Sequence, residues 1–286
     1  MTIQLAYQHT LLQLKIWYDE REAANITDLV MEHITGKKKI ERLLDKQQIL
    51  TNPQIEKLNS ILGDLATHKP IQYVLAEAWF AGFKFYVNEH TLIPRPETEE
   101  LVDWIKEESR KLKVKSQKLL DIGTGSGCIS IALKKQVPEF SIISIDVSKE
   151  ALAVAQQNAD ALEADIDFLH IDFLDEANWD QLPVVDIIVS NPPYIKQSEQ
   201  DRMAKNVLDF EPASALFVPD EDALLFYRKI AVFSKTHFAK KGCIFLEINE
   251  TLGKDVVELY ENAGYIVELK KDLQGKDRMV KVNLKI

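Results

Sequence analysis

Leu119-Leu120-Asp121-Ile122-Gly123-Thr124-Gly125-Ser126-Gly127-Cys128-Ile129 is the stretch on which the fold turns. An apolar run breaks into a loop with three glycines, then resumes with the spacing of a helix over 128–136. Strand, loop and helix in that order put the loop at the carboxyl end of a buried strand and at the amino end of a helix. Glycines let the backbone turn tightly there and let a ligand approach it closely. The chain has only 10 glycines in 286 residues, and three of them stand in this loop.

Outward from the loop, apolar runs at 119–122, 142–145, 168–171, 184–189 and 244–248 read as buried parallel strands. Helical stretches at 128–136, 149–162, 222–240 and 253–263 separate most of them. The last two runs, 266–269 and 279–284, are joined by a short polar loop, which predicts an antiparallel final pair. This alternation predicts an α/β domain around a mostly parallel seven-stranded, Rossmann-like sheet with an antiparallel last strand. Its ligand is expected beyond the carboxyl ends of the strands.

Upstream the pattern is helical. Leu5, Leu11, Leu12, Leu14 and Ile16 suggest one amphipathic face, and Thr27 is placed to cap a helix carrying Leu29, Val30, Met31 and Ile34 up to Gly36. Ile40, Leu43 and Leu44 suggest a third face, and Asn52-Pro53 a cap and first turn leading Ile55, Leu58, Ile61, Leu62 and Leu65. Aromatics around Gly82 predict a β-hairpin, followed by an extended Pro94-Arg95-Pro96 segment and a helix capped by Thr98. The expected division is a helical substrate-recognition domain over 1–75, a hairpin linker over 76–95 and the α/β domain over 96–286.

Composition narrows the function. The apolar share of 46% and charged share of 28% are those of a globular protein, with no long uncharged apolar run and no signal-peptide pattern, so a cytoplasmic protein without membrane contact is expected. Two cysteines and six scattered histidines give no disulfide framework and no metal-ligand spacing, so no metal is expected. The net charge of −10 lies entirely beyond residue 95. A duplex-binding enzyme usually carries the opposite sign on its working domain, so direct nucleic-acid binding is disfavoured.

The loop also discriminates among cofactors. Asp146 closes the strand after it, about 20 residues on, where an acid grips ribose hydroxyls. The dinucleotide fingerprint is G-x-G-x-x-G, whereas Gly123, Gly125 and Gly127 alternate and Asp121 precedes them. A carboxylate at Asp121 suits the ammonium group of S-adenosylmethionine better than a pyrophosphate, so the methyl donor outranks NAD. Thr124 and Ser126 complete the loop, Asp172 is placed for the adenine amino group, and Phe173 offers a ring to its face. A plain core aromatic is the other reading of Phe173, and a solvated loop acid that of Asp172.

At the end of the fourth strand stands Asn191-Pro192-Pro193-Tyr194. Two prolines freeze the backbone, so the Asn191 Oδ1 and the Pro192 carbonyl can accept both hydrogens of a planar –NH₂ group while Tyr194 lies on its face. Holding both hydrogens aims the nitrogen lone pair and stabilises positive charge developing on it.

Asp121-x-Gly-x-Gly-x-Gly127, Asp146 and Asn191-Pro-Pro-Tyr194 resemble class I methyltransferases acting on amide or exocyclic –NH₂ nitrogens, adenine-N6 enzymes among them. Leu92-Ile93-Pro94-Arg95-Pro96-Glu97-Thr98-Glu99, Phe210-Glu211-Pro212 with Ala215-Leu216, and the helical region in front are similar to the HemK/PrmC release-factor glutamine N5-methyltransferases. The resemblance implies methylation of the glutamine in the Gly-Gly-Gln motif of peptide chain release factors, in translation termination, by an enzyme expected to be monomeric. It places cofactor contacts on residues 123–127, Asp146, Phe173 and Asn191, and substrate contacts on Asn191, Pro192, Pro193 and Tyr194. The helical domain is then expected to help grip the factor. An adenine-N6 nucleic-acid methyltransferase is the alternative. Arg95, Glu97 and Glu211 stay open between cofactor or substrate contact and a hinge or loop anchor. Glu247-Ile248-Asn249-Glu250 departs from the family's Gly-x-x-Gln pattern at that place.

Overall fold

The computed structural model describes residues 1–111 and 117–285. The chain divides into two compact units, Met1–Glu77 with Ala204–Phe210, and Ala78–Met203 with Glu211–Ile286. The hairpin set apart as a linker in the sequence belongs to the second unit, and a short later segment belongs to the first.

The first unit contains α1 (Ile3–Leu14), α2 (Glu20–Thr35), α3 (Lys39–Leu44), α4 (Asn52–Leu65) and α5 (Ile71–Leu75). Its helices form, but their buried faces differ from the sequence pattern. In α1 the stripe facing the core is Ile3, Ala6, Thr10 and Leu14, while Leu5, Leu12 and Ile16 are exposed. The i, i+3, i+7, i+11 spacing of the buried set is the true helical stripe. Thr27 caps nothing: α2 begins eight residues earlier on an Asp19 cap, and the buried Thr27 hydroxyl donates to the Ala23 carbonyl. The cap of α4 is Thr51, one residue before Asn52, in a reciprocal box with Gln54. The predicted face of α3 points outward, with Ile40, Leu43 and Leu44 all exposed. Arg42 is buried in their place, because its guanidinium donates to Asp28 Oδ1 at 2.5 Å and to the Lys37 carbonyl at 2.8 Å, fixing the rotation of this one-and-a-half-turn helix.

The second unit opens with the hairpin β1 (Ala78–Phe80) and β2 (Phe83–Phe85), turned at Ala81 and Gly82, both with positive φ. Then follow α6 (Pro96–Lys111), β3 (Lys118–Ile122), α7 (Cys128–Gln136), β4 (Ser141–Asp146), α8 (Lys149–Ala161), β5 (Asp167–His170) and β6 (Val185–Ser190). After β7 (Ile195–Lys196), α9 (Lys205–Phe210, the later segment that belongs to the first unit), α10 (Ala213–Leu216) and β8 (Phe217–Val218) come α11 (Leu225–His237), β9 (Phe238–Glu247), α12 (Gly253–Asn262), β10 (Tyr265–Lys271) and β11 (Asp277–Leu284). The seven-stranded sheet has the order β10-β11-β9-β6-β3-β4-β5. It is parallel except for β11, which inserts antiparallel between β9 and β10. The final antiparallel pair is therefore present, with the last strand inside the sheet instead of at its edge.

Two apolar layers sandwich the sheet. One gathers Leu101, Val102, Trp104 and Ile105 of α6 with Ile131 and Leu133 of α7; the other gathers Tyr227, Ile230 and Phe233 of α11 with Tyr260 of α12. The reversal in strand order falls between β3 and β6, where the crevice of an open α/β sheet forms. Among the described residues no helix is long and apolar enough to cross a membrane.

Candidate active site

A cavity of about 410 Å³ opens at the carboxyl ends of β3, β4 and β6, lined among others by the glycine loop, Asp146, Asp172, Phe173 and Asn191. The loop is built by backbone. The amides of Gly123 and Thr124 both donate to the Ile145 carbonyl at the end of β4, at 2.9 and 3.0 Å. Gly123, Gly125 and Gly127 have φ of +76°, +56° and +79°, a region that costs any residue with a Cβ. The three differ in surroundings. A Cβ on Gly123 or Gly125 would meet no atom within 4 Å, whereas one on Gly127 would stand 2.9 Å from Ile131 Cδ1 and 3.2 Å from Ala155 Cβ. The first two keep the ligand space open, and the third lets α7 pack.

Asn158 of α8 buttresses this loop from behind. Its Nδ2 donates to the Ser126 and Tyr86 carbonyls, both at 2.9 Å, and its Oδ1 accepts from the Tyr86 amide at 2.7 Å. Nothing in the sequence marks it, since its partners lie 32 and 72 residues away.

Of the sequence-derived cofactor residues, Gly123, Thr124, Gly125, Ser126, Asp146, Asp172, Phe173 and Asn191 line the cavity. Gly127 and Asp121 do not. Asp121 is fully buried beneath the loop, where Oδ2 accepts from Thr124 Oγ1 at 2.7 Å and from Ser130 Oγ at 2.5 Å. Burial raises its pKa to about 6. Its position ties the loop to α7 instead of exposing a carboxylate on the wall. Asp146 holds both sides of the crevice: Oδ2 accepts from the Gly125 amide and Oδ1 from the Ser148 amide, each at 2.9 Å. Burial raises its pKa also, partly offset by those amides. Phe173 meets both of its readings: it packs with Trp179 and Phe233 at ring distances of 5.6 and 5.3 Å, and it also reaches the cavity. Asp172 is exposed, its Oδ1 accepting from the Leu174 amide.

At the end of β6, Asn191 and Pro193 are on the cavity wall, while Pro192 is buried and Tyr194 half-buried. Ser190 Oγ anchors this strand end by donating to the Ile122 carbonyl at 2.7 Å. The Asn191 Nδ2 donates to Thr98 Oγ1 at 3.2 Å, and the Tyr194 hydroxyl approaches Glu247 Oε1 at 3.4 Å. Thr98 is thus no cap. α6 starts at Pro96, and the Thr98 hydroxyl donates across the unit to Glu247 Oε2 at 2.6 Å. Burial raises the Glu247 carboxyl to about 7 and pushes the Tyr194 phenol well up. Arg95 and Glu211 pair with each other at 2.5 Å, and Glu211 Oε2 also accepts from the Ile93 amide, so Glu211 acts as a loop anchor beside the cavity. Glu97 accepts from Gln274 at 3.2 Å.

The shape fits an adenosyl ligand. Two glycines keep a cradle clear, a carboxylate stands at the end of β4, and an aromatic side chain lines the same space. Among the described residues no group of three His, Cys, Asp or Glu side chains is arranged to hold a metal.

Known proteins give the same picture. The methyltransferase small domain family matches residues 98–217, and the PrmC N-terminal domain family matches residues 7–75. The release factor glutamine methyltransferase of Flavobacterium psychrophilum is 47% identical over 270 residues, 94% of each chain. That of Bacteroides thetaiotaomicron is 40% identical over 267 residues, 93% of this chain and 94% of its own. Among solved structures, a T. thermophilus 16S rRNA N2 methyltransferase in complex with AdoMet and guanosine superposes with a TM-score of 0.51 at 17% identity. That superposition covers 73% of this chain and 50% of that one, a likeness of fold alone.

Proposed function

The chain belongs to the release factor glutamine methyltransferases, enzymes that use S-adenosylmethionine, and from that premise we propose that it methylates the side-chain N5 of the glutamine in the Gly-Gly-Gln motif of peptide chain release factors. The observation that carries the reading is the tether on Asn191. One Nδ2 hydrogen goes to Thr98, which orients the amide and leaves Oδ1, without a protein donor among the described residues, as the acceptor for a ligand.

The cofactor supplies an electrophilic methyl on a sulfonium. Residues 123–126, Asp146 and Phe173 would hold it, Asp146 offering a carboxylate to the ribose hydroxyls and Asp172 one to the adenine amino group; Asp121 supports the loop from below. On the acceptor side, Asn191 Oδ1 and the Pro192 carbonyl take the two N–H bonds of the glutamine amide, and Tyr194 packs on its face. An amide nitrogen is a poor nucleophile because its lone pair is delocalised into the carbonyl. Two acceptors in fixed positions favour pyramidalisation and stabilise the charge that develops on nitrogen, the share of catalysis that preorganised dipoles supply. The proton leaves the nitrogen after transfer, so no general base is assigned. The proposed enzyme is monomeric and cytoplasmic, and its −10 charge disfavours direct nucleic-acid contact.

The test is incubation of the enzyme with methyl-labelled cofactor and a release factor, beside the factor with its Gly-Gly-Gln glutamine changed to alanine. Label on the first and none on the second is expected. Equal labelling overturns the acceptor, and transfer to DNA or RNA at comparable rate favours the adenine-N6 alternative.

A further inference from the structure

The cluster behind the Asn191 segment has a direction built into it. A threonine hydroxyl has one hydrogen, and Thr98 spends it on Glu247 Oε2 at 2.6 Å. Its oxygen is then an acceptor toward everything else, and what it accepts is an N–H of Asn191 at 3.2 Å. Were the hydroxyl to donate to Asn191 instead, the amide would have to turn over and present Nδ2, a donor, to the cavity. Two donors facing each other would repel the –NH₂ group of a substrate.

We propose that Glu247 and Thr98 are positioning residues: the carboxylate fixes the direction of the Thr98 hydroxyl, which in turn fixes Asn191 with its oxygen toward the acceptor nitrogen. The proposal rests on the preceding reading of the acceptor as an –NH₂ group. The relay is nearly closed to solvent, Thr98 and Glu247 each being 2% exposed, with Thr98 at the cavity wall. It is also held from several elements. Thr98 comes from the first turn of α6, Glu247 from the end of β9, and Asn191 and Tyr194 from beyond β6. The Tyr227 hydroxyl of α11 donates to the Glu247 main-chain carbonyl at 3.1 Å. The charged and titratable groups facing Glu247 are Arg278 of β11, which favours its ionised form, Glu97 of α6, which opposes it, the phenols of Tyr194 and Tyr227, and the buried Cys128 thiol of α7. Arg278 is itself occupied by Asp272, its Nε standing 3.2 Å from Oδ2.

Ionised Glu247 accepts at both oxygens, so the relay has one polarity. A proton on Oε2 would let the carboxyl donate to Thr98 and release the hydroxyl to point at Asn191. Turnover is therefore expected to fall on the acid side, with a limb near the carboxyl's raised pKa of about 7.

The variants are Thr98→Val, Thr98→Ser and Glu247→Gln, assayed on a release factor in the full-length protein. Thr98→Val keeps the shape and removes the hydroxyl; kcat is expected to drop about 100-fold with KM for the release factor little changed, the signature of misplacement at the reacting centre. Thr98→Ser restores the hydroxyl and is expected to recover at least about tenfold of that loss. Glu247→Gln is expected to lose the acid limb of the pH profile. Turnover of Thr98→Val within twofold of the parent, or equal rates for the Val and Ser variants, overturns the proposal. A readout without substrate accompanies these. With ¹⁵N-labelled asparagine, the Asn191 side-chain NH₂ pair should shift in Thr98→Val and titrate with Glu247 in the parent protein. Resonances that do neither overturn the relay whatever the substrate is. A parent enzyme that leaves release factors unlabelled sinks the substrate assignment alone, and the NMR result still decides the relay.

Discussion

The loop over residues 123–127 and the segment over residues 191–194 reach the same cavity by different means. The loop meets it with backbone: three left-handed glycines close together in sequence, and amides that hydrogen-bond to Ile145 and Asp146 of the neighbouring strand. The Asn191 segment meets it with side chains whose partners lie 93 and 53 residues away, on α6 and β9. A backbone-built site tolerates changes at its edges and fails at its glycines. A side-chain-built site fails wherever a link in the relay is cut, including at residues that touch no ligand.

That contrast can be broken at its most exposed point. Asn191→Ala removes the proposed acceptor, and kcat should fall by about 10²–10³, the cost of deleting one preorganised hydrogen-bonding group, while S-adenosylhomocysteine binding measured by calorimetry changes only modestly. Near-full activity would mean the segment does not orient the amide. On the loop, Gly127→Ala should be the most damaging substitution to the fold. It adds a Cβ 2.9 Å from Ile131 to a backbone already in the left-handed region, and a loss of about 2 kcal/mol or more in denaturant unfolding is expected. Gly125→Ala carries the conformational strain without the clash, so it should cost about 1 kcal/mol of stability and weaken cofactor binding more than it weakens folding. Equal stability losses at the two glycines would erase the distinction between a packing glycine and a cradle glycine.

The buried carboxyl of Glu247 offers a sharper comparison, because function and stability should move in opposite directions there. Its folded pKa lies above the unfolded value, so the folded state binds the proton more tightly. The stability this gives is present below about pH 4.5 and is lost as pH rises through about 7. Glu247→Gln removes that charge, so its melting temperature should gain on the parent as the pH is raised from 5 to 8. A constant difference across that range would show that the carboxyl is not the titrating group. The smallest effect is expected in the helical unit: Leu44→Lys on the exposed face of α3 should change stability by no more than about 0.5 kcal/mol, whereas Arg42→Ala should be clearly destabilising in the same unfolding assay.

The same contrast explains what could be read in advance. Strands, helices, the mostly parallel sheet and the glycine loop follow from periodicity and turn chemistry, which are local. Asn191 to Tyr194 was visible because its residues are contiguous. Thr98 and Glu247 were visible as residues but not as partners. Thr98 looked like a cap because it stands near a helix start, and a pattern of types cannot tell whether a hydroxyl turns to its own backbone or to a carboxylate 149 residues away. The outward turn of Ile40, Leu43 and Leu44 escaped for a related reason, since the ion pair of the buried Arg42 with the half-buried Asp28 outweighs the apolar pattern of a six-residue helix.

By itself, then, the sequence determined the layering of the second unit, the place of the loop at a strand end, the cofactor class, and the identity of the groups that could hold an –NH₂ nitrogen. The tertiary structure decided which of those groups face the cavity, which stand beneath it, and how they are oriented. Asp121 went under the loop to tie α7, Gly127 went to packing, and the Asn191 amide took its direction from a carboxylate on β9. The physical reason is that backbone conformation is set by neighbours along the chain, whereas the direction of a buried hydrogen bond is set by whichever donor and acceptor folding brings together out of water.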